Sequence, residues 1–320
     1  MELKSLIPYY SHNTVKNNTY EHAFTVFTPV YNRADTIHRV FESLNKQTFK
    51  DFELLIINDG SKDNSHTVIL ELIKTANFKV NYVDNEKNQH KLACIVQGVS
   101  LAKGEFFLPF DSDDACTEDA LEVFYNTYQN LSDEDKTQTC SITCMCKDQY
   151  GDLVGKKFES SPFFSSTFNN LLMGKYNEEK WGFTKTEVLK NVNINPLLYS
   201  RGYIPEGIVW TLFSKEGFKT CYINDVLRIY YMEDTDNSIT SDSIKNRSFG
   251  LTVYALCILN RFFKQHFFKN PILFVKQIYY ILITSKYLEF NRKDYTKALN
   301  SPIVKTLVTI GWPFRSLLKY

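Results

Sequence analysis

With 320 residues, 43% of them hydrophobic and 23% charged, the chain can bury a sizeable core as one large domain or about two smaller ones. A formal net charge of +1 excludes the strongly basic balance of a general nucleic-acid binder. Seven cysteines, an odd number, and an N-terminus (Met1-Glu2-Leu3-Lys4-Ser5) without an apolar secretory core point to a reducing cytoplasm rather than a disulfide framework.

Residues 1–20 are polar and Asn-rich and read as a loosely held lead-in. A short β-rich run, 24–27, stops at Thr28-Pro29-Val30-Tyr31-Asn32, and apolar Ile37, Val40, Phe41 and Leu44 then predict a helix over 33–47. A second strand, 52–57, is closed by Asn58-Asp59-Gly60-Ser61. Asp63 or Asn64 caps a helix whose apolar face is Val68, Ile69, Leu72 and Ile73. A strand at 79–83, a helix at 92–102 and a strand at 106–110 follow. Strands apolar throughout and separated by helices read as βαβ units of a parallel sheet, which binds ligands beyond the carboxyl ends of its strands. Pro29 to Asn32, Asp59 and Asp111 to Asp114 all fall at such ends.

From Cys140 the pattern is mixed, with strand-like pieces at 141–146 and 153–158, an irregular stretch at 160–170, a helix over 206–216 and a strand over 219–224. Cys140, Cys144 and Cys146 sit in alternating strand sequence without the second pair a zinc site needs. Beyond Ser243 the chain is aromatic and helical in period, and from Lys245 onward it carries thirteen Lys or Arg against two acids, Glu289 and Asp294. Lys276 interrupts the longest apolar run, which is too short to span a membrane. Two readings stay open for 244–320: helices lying on an anionic membrane surface, or an appendage packed on the protein with a basic solvent face.

The apolar run Phe106-Phe107-Leu108-Pro109-Phe110 ends in Asp111-Ser112-Asp113-Asp114. Carboxylates this close repel one another unless a positive group lies between them. A Mg²⁺ or Mn²⁺ ion suits the place, because it needs only one or two protein carboxylates when a ligand's phosphates complete its shell. The plainer alternative is that Asp113 or Asp114 caps a helix beginning near Thr117.

Four stretches in order, Thr28-Pro29-Val30-Tyr31-Asn32-Arg33, Asn58-Asp59-Gly60-Ser61-Lys62-Asp63, Ala102-Lys103-Gly104-Glu105 and Asp111-Ser112-Asp113-Asp114, resemble the nucleotide-binding half of an inverting family 2 glycosyltransferase of bacterial surface-glycan type. A weaker resemblance runs through Trp181-Gly182-Phe183 and Pro205-Glu206-Gly207 to about residue 240. The resemblance implies an α/β GT-A fold with a mostly parallel, Rossmann-like central sheet. It divides the chain into a lead-in (1–20), a nucleotide-sugar-binding half (21–130), an acceptor-binding half (131–243) and a basic aromatic helical extension (244–320).

The implied roles follow residue by residue. Pro29 and Tyr31 would line the nucleoside pocket, and Asp59 would accept from the uracil imide N–H. Arg33, Lys91 and Ser112 would join the nucleotide-sugar site. Asp111 would reach the ribose or the metal, and Asp113 would ligate Mn²⁺ or Mg²⁺ at the diphosphate. The chain departs from the family's pattern at His90, where many relatives have glycine, and at Cys94-Ile95-Val96. Glu206, opening a helix, matches the place of the catalytic base, its alternative role being to complement the helix dipole; Glu178 and Glu179 come next. Arg228 and Ser238 fall where relatives carry a loop over the donor phosphates. Trp181 and Trp210 are read as sugar-stacking or core aromatics, Trp210 rather as core.

The function implied is metal-dependent transfer from a nucleotide sugar, a UDP-sugar, to a glycan or lipid-linked acceptor, without nucleic acid. It would take place in the cytoplasm and, if the tail docks there, at the inner face of the cell membrane. A non-catalytic glycan-binding protein and an Asp-dependent phosphohydrolase are the competing readings.

Overall fold

A computed structural model describes residues 2–12, 19–176, 178–199, 201–232 and 243–319. Among them the strands are β1 (Tyr9–Tyr10), β2 (His22–Val30), β3 (Phe52–Asn58), β4 (Lys79–Asp84), β5 (Gly104–Pro109), β6 (Ala115–Cys116), β7 (Thr139–Asp148), β8 (Leu153–Val154), β9 (Phe163–Ser165), β10 (Trp181–Lys185), β11 (Val192–Asn193) and β12 (Lys219–Tyr230). The helices of the first half are α1 (His38–Asn45), α2 (Ser65–Thr75), α3 (His90–Leu101), α4 (Ala120–Gln129) and α5 (Asp133–Gln138). They are followed by α6 (Thr167–Met173), α7 (Thr186–Lys190), α8 (Gly207–Lys215), α9 (Ile244–His266), α10 (Pro271–Thr284), α11 (Arg292–Ala298) and α12 (Pro302–Gly311).

The central sheet runs β4-β3-β2-β5-β10-β7-β12-β6, and the first four strands are parallel, as their uninterrupted apolar runs predict. Alternate residues serve different cores. Phe24, Val26, Leu54, Ile56, Phe106 and Leu108 pack on one face with α1 and α4. Phe27, Leu55, Ile57 and Phe107 pack on the other with α3, α8 and the C-terminal helices. Beyond β5 the sheet is mixed: β10 is antiparallel to both β5 and β7, and β12 is parallel to β7.

Three sequence expectations change. The described part of the lead-in is not loose: Leu3 and Leu6 are buried in the same core as α9 and α10, and the Arg261 guanidinium donates to the Pro8 carbonyl at 2.9 Å. The strand expected to stop at 224 continues to Tyr230, because the polar interruption at Asn224-Asp225 is absorbed by register shifts between Tyr222 and Val226. Arg228 is therefore a sheet residue, not a loop residue. Finally, α4 begins at Ala120 after Asp119, so neither Asp113 nor Asp114 caps it. All seven cysteines are free and buried, and no helix among the described residues is long and apolar enough to cross a membrane.

Candidate active site

The parallel register brings the expected donor-site residues to one edge. Pro29 lies opposite Ile57 and Val30 opposite Asn58, while the Asp59 amide donates to the Val30 carbonyl at 2.7 Å and the Phe110 amide to the Phe27 carbonyl at 2.8 Å. The chain can turn at Asn58-Asp59-Gly60 because Gly60 takes φ +67°; a Cβ there would lie 2.8 Å from the Asn88 nitrogen. Gly104 has a different reason: a Cβ would meet the Thr25 nitrogen at 2.2 Å.

Asp59 is buried, and its carboxylate accepts from the Gln89 and His90 amides at 3.0 and 2.9 Å, fixing the start of α3. His90 holds φ +71°, the left-handed conformation that glycine adopts without strain, which gives the departure at this position a physical meaning. The turn it makes aims the next residue, Lys91, across the edge.

Lys91 joins the two halves. Its Nζ lies 3.0 Å from Asp111 Oδ1 and 3.0 Å from Oε1 of Glu206, the residue that opens α8. Burial alone would lower the Lys91 pKa, but the Asp111 and Glu206 carboxylates outweigh it and hold the ammonium above its ordinary value. A second cation arrives from β12: Arg228, 3% exposed, contacts Asp111 Oδ2 at 2.8 Å, Glu179 Oε1 at 3.1 Å and Asp114 through Nε at 2.7 Å and through Nη2. Burial works to raise the Asp111 carboxyl, yet Lys91 and Arg228 together hold it well below the carboxylate range. Asp114, 1% exposed, is pushed by burial up to about 6 against the pull of Arg228, and it also accepts from the Tyr231 amide at 2.9 Å. Burial likewise raises Glu179, with Arg228 opposing.

The charge crowding after β5 is thus balanced first by protein cations. The resemblance put Arg228 in a loop, and a helix cap was one alternative for Asp114; the missed signal was a single arginine inside the β-rich apolar run Val226-Leu227-Arg228-Ile229-Tyr230, which continues the strand.

Asp113 differs from its neighbours. It is partly exposed, with Arg33 Nε at 3.5 Å, while its carbonyl accepts from Arg39 Nη1 at 2.7 Å. Ser112 is buried and its carbonyl accepts from the Thr36 hydroxyl at 3.1 Å. Tyr31 is exposed at the same edge. No group of three or more His, Cys, Asp or Glu among the described residues is placed to hold a metal. Tested as ligands, the two expected acids part: Asp113 carries one long ion pair, from Arg33 to its Oδ2, and keeps room for a cation completed by phosphate and water, whereas both Asp111 oxygens are engaged by Lys91 and Arg228 at 3.0 and 2.8 Å.

Lys91, Asp111, Glu179, Glu206 and Arg228 line a cleft of about 440 Å³, with Glu178 on its rim. Trp181 is buried and its indole N–H donates to the Pro109 carbonyl at 2.7 Å; it lines the cleft together with half-buried Trp210, which also packs against the core. A smaller apolar groove of about 190 Å³, with Ile95, Val96, Val99 and Ile194 in its walls, shares Glu206 and Trp210 with the cleft. Ser238 lies outside the described residues.

Residues 25–169 match the model of glycosyl transferase family 2. The GalNAc(5)-diNAcBac-PP-undecaprenol beta-1,3-glucosyltransferase of Campylobacter jejuni is 26% identical over 225 residues, 69% of this chain and 68% of that enzyme. The poly(ribitol-phosphate) beta-N-acetylglucosaminyltransferase TarP of Staphylococcus aureus is 36% identical over 105 residues, 32% of each chain, so it is matched over only about a third of its length. Among solved structures, S. aureus TarS 1-349 in complex with UDP-GlcNAc superposes with a TM-score of 0.57 at 18% identity, covering 92% of this chain and 86% of that one. The mannosyltransferase PcManGT from Pyrobaculum calidifontis, in complex with GDP-Man and Mn²⁺, gives 0.54 at 16% identity, covering 96% and 84%. These likenesses show the GT-A fold.

Proposed function

This chain belongs to glycosyltransferase family 2 through residues 25–169, and on that premise we propose that it moves a sugar, with inversion, from a UDP-sugar to a hydroxyl of a glycan or lipid-linked acceptor in surface-polysaccharide synthesis. The observation that carries the reading is the position of Lys91, 3.0 Å from Asp111 on the donor edge and 3.0 Å from Glu206 at the start of α8. The acids expected at the donor phosphates and at the acceptor hydroxyl meet across one cation, at one cleft.

In this reading Pro29, Tyr31 and Asp59 form the nucleoside end of the site, and Arg33 and Ser112 flank the phosphates. Lys91 and Arg228 supply fixed positive charge where the departing diphosphate gathers negative charge, a preorganised stabilisation that needs no rearrangement of solvent. Glu206 accepts the proton of the acceptor hydroxyl as its oxygen attacks the anomeric carbon, which requires Lys91 to yield part of its contact with that carboxylate. Asp113, with Asp111 if Lys91 or Arg228 withdraws, would hold Mn²⁺ or Mg²⁺, which supplies charge neutralisation at the leaving diphosphate when bound.

UDP is favoured because a structural relative binds UDP-GlcNAc, although another binds GDP-Man. The apolar groove that opens beside Glu206 supports an acceptor with an apolar, lipid-like portion. Such an acceptor would be met at the inner face of the cell membrane, with the C-terminal helices on an anionic surface. A screen of nucleotide sugars for Mn²⁺-dependent thermal stabilisation tests the donor. A UDP-sugar is expected to raise the melting temperature most; a guanosine or cytidine donor doing so in its place would overturn that choice.

A further inference from the structure

Helix α12 has two apolar faces. Val304 and Val308 are fully buried in the core, as one face of an amphipathic helix should be. A second face, about 100° round the helix, carries Ile303, Leu307 and Ile310, exposed by 63, 41 and 62%, at positions that align along a helix. Phe314 and Leu317, exposed by 59 and 75%, extend the apolar surface through the 3₁₀ turn at Trp312–Leu317. Single exposed apolar residues are ordinary on protein surfaces, but a continuous stripe marks a surface that meets something.

Beside this stripe, between α11 and α12, lies an open groove of about 320 Å³ lined by Arg292, Lys293 and Lys305 together with Thr296, Thr306 and Thr309; Ile310 is its apolar edge. The three hydroxyls donate their protons to the carbonyls of Lys293, Pro302 and Lys305, so the attraction for an anion rests on the three cations, and the groove has no carboxylate in its lining. From Lys245 to the end the chain carries thirteen Lys or Arg against two acids. Acyl chains beneath anionic headgroups match both halves of this surface. A second copy of the chain matches only the apolar half, because pairing the two stripes face to face would bring like-charged grooves toward each other.

We propose that the outer face of α12 and the turn after it dock on an anionic lipid bilayer, with the Arg292, Lys293 and Lys305 groove receiving a phosphate headgroup. The proposal deepens the membrane reading above and is independent of the donor and acceptor chemistry.

The test is flotation of the full chain with vesicles of phosphatidylcholine alone or with a third of phosphatidylglycerol. Wild type is expected to float with the anionic vesicles and to lose binding as salt is raised. The Ile310→Asp/Phe314→Asp variant should lose roughly ten-fold or more of the bound fraction. The Arg292→Gln/Lys293→Gln/Lys305→Gln variant should lose the preference for anionic lipid. The altered side chains are exposed, Lys305 partly so, and a melting temperature near that of wild type separates lost docking from lost folding, with Ile310→Ser as a milder second variant. Wild type that floats equally well with both variants would place the membrane contact elsewhere and overturn this assignment alone. Wild type that never floats would overturn the membrane reading with it. Self-association in light scattering that the apolar variant abolishes, without flotation, would identify a second copy as the occupant.

Discussion

Replacing Arg228 by Met removes the guanidinium shared by Asp111, Asp114 and Glu179. The three acids do not lose equally. Asp111 keeps Lys91 at 3.0 Å, and Glu179 is exposed enough to turn toward water. The cost falls on Asp114, 1% exposed, which retains only the Tyr231 amide among the partners described above. Breaking a buried pair in this way costs about 3–5 kcal/mol, a large share of the roughly 5–15 kcal/mol that holds a typical domain together.

The effect should depend on pH with a definite sign. Burial already holds the Asp114 carboxyl at about 6, above the value of about 3.9 expected in an unfolded chain, so the native state binds more protons between those limits and loses stability as pH rises through them. Without Arg228 the carboxyl titrates higher still, and the loss continues above pH 6 at up to about 1.4 kcal/mol per pH unit. Urea unfolding of wild type and Arg228→Met at pH 5, 6.5 and 8 should therefore show a destabilisation that grows with pH, and Asp114→Asn in the Arg228→Met background should recover part of it. A destabilisation under about 1 kcal/mol that is flat across pH would refute the buried-pair account.

Gly60→Ala should destabilise by about 1–3 kcal/mol, because it strains a φ of +67° and drives a Cβ against the Lys87-Asn88 backbone. It should also weaken UDP binding in calorimetry, since that segment leads into the amides held by Asp59. Asp113→Ala, at a partly exposed site, should leave the melting temperature unchanged and abolish metal-dependent turnover; full activity of this variant in the presence of a chelator would remove the metal from the mechanism.

The parallel half of the fold was legible because its signals are local: strands buried on both faces are apolar throughout, and their helices show a 3.6-residue period. The turn residues at the carboxyl ends of those strands are local too, so Pro29, Asp59 and Asp111 were read at the edge where they lie. What escaped depends on distant partners. Leu3 and Leu6 look like strays in a polar leader until the C-terminal core that receives them is present. Arg228 looked like a loop residue because Asn224-Asp225 resembles a strand end, whereas a register shift carries β12 past it. The residues around Lys91 were individually recognisable, but its contact with both Asp111 and Glu206 depends on the left-handed turn at His90 and on the placing of α8.

The central claim, that Glu206 is the base facing a donor held at the Asp111–Asp113 edge, is tested most directly by Glu206→Gln in a transfer assay that follows UDP release, alongside calorimetric UDP binding. The account predicts unchanged UDP affinity within a few fold and a loss of transfer of about 10²-fold or more. Transfer at the wild-type rate would contradict it and move the base to another carboxylate of the cleft, with Glu179 first in line.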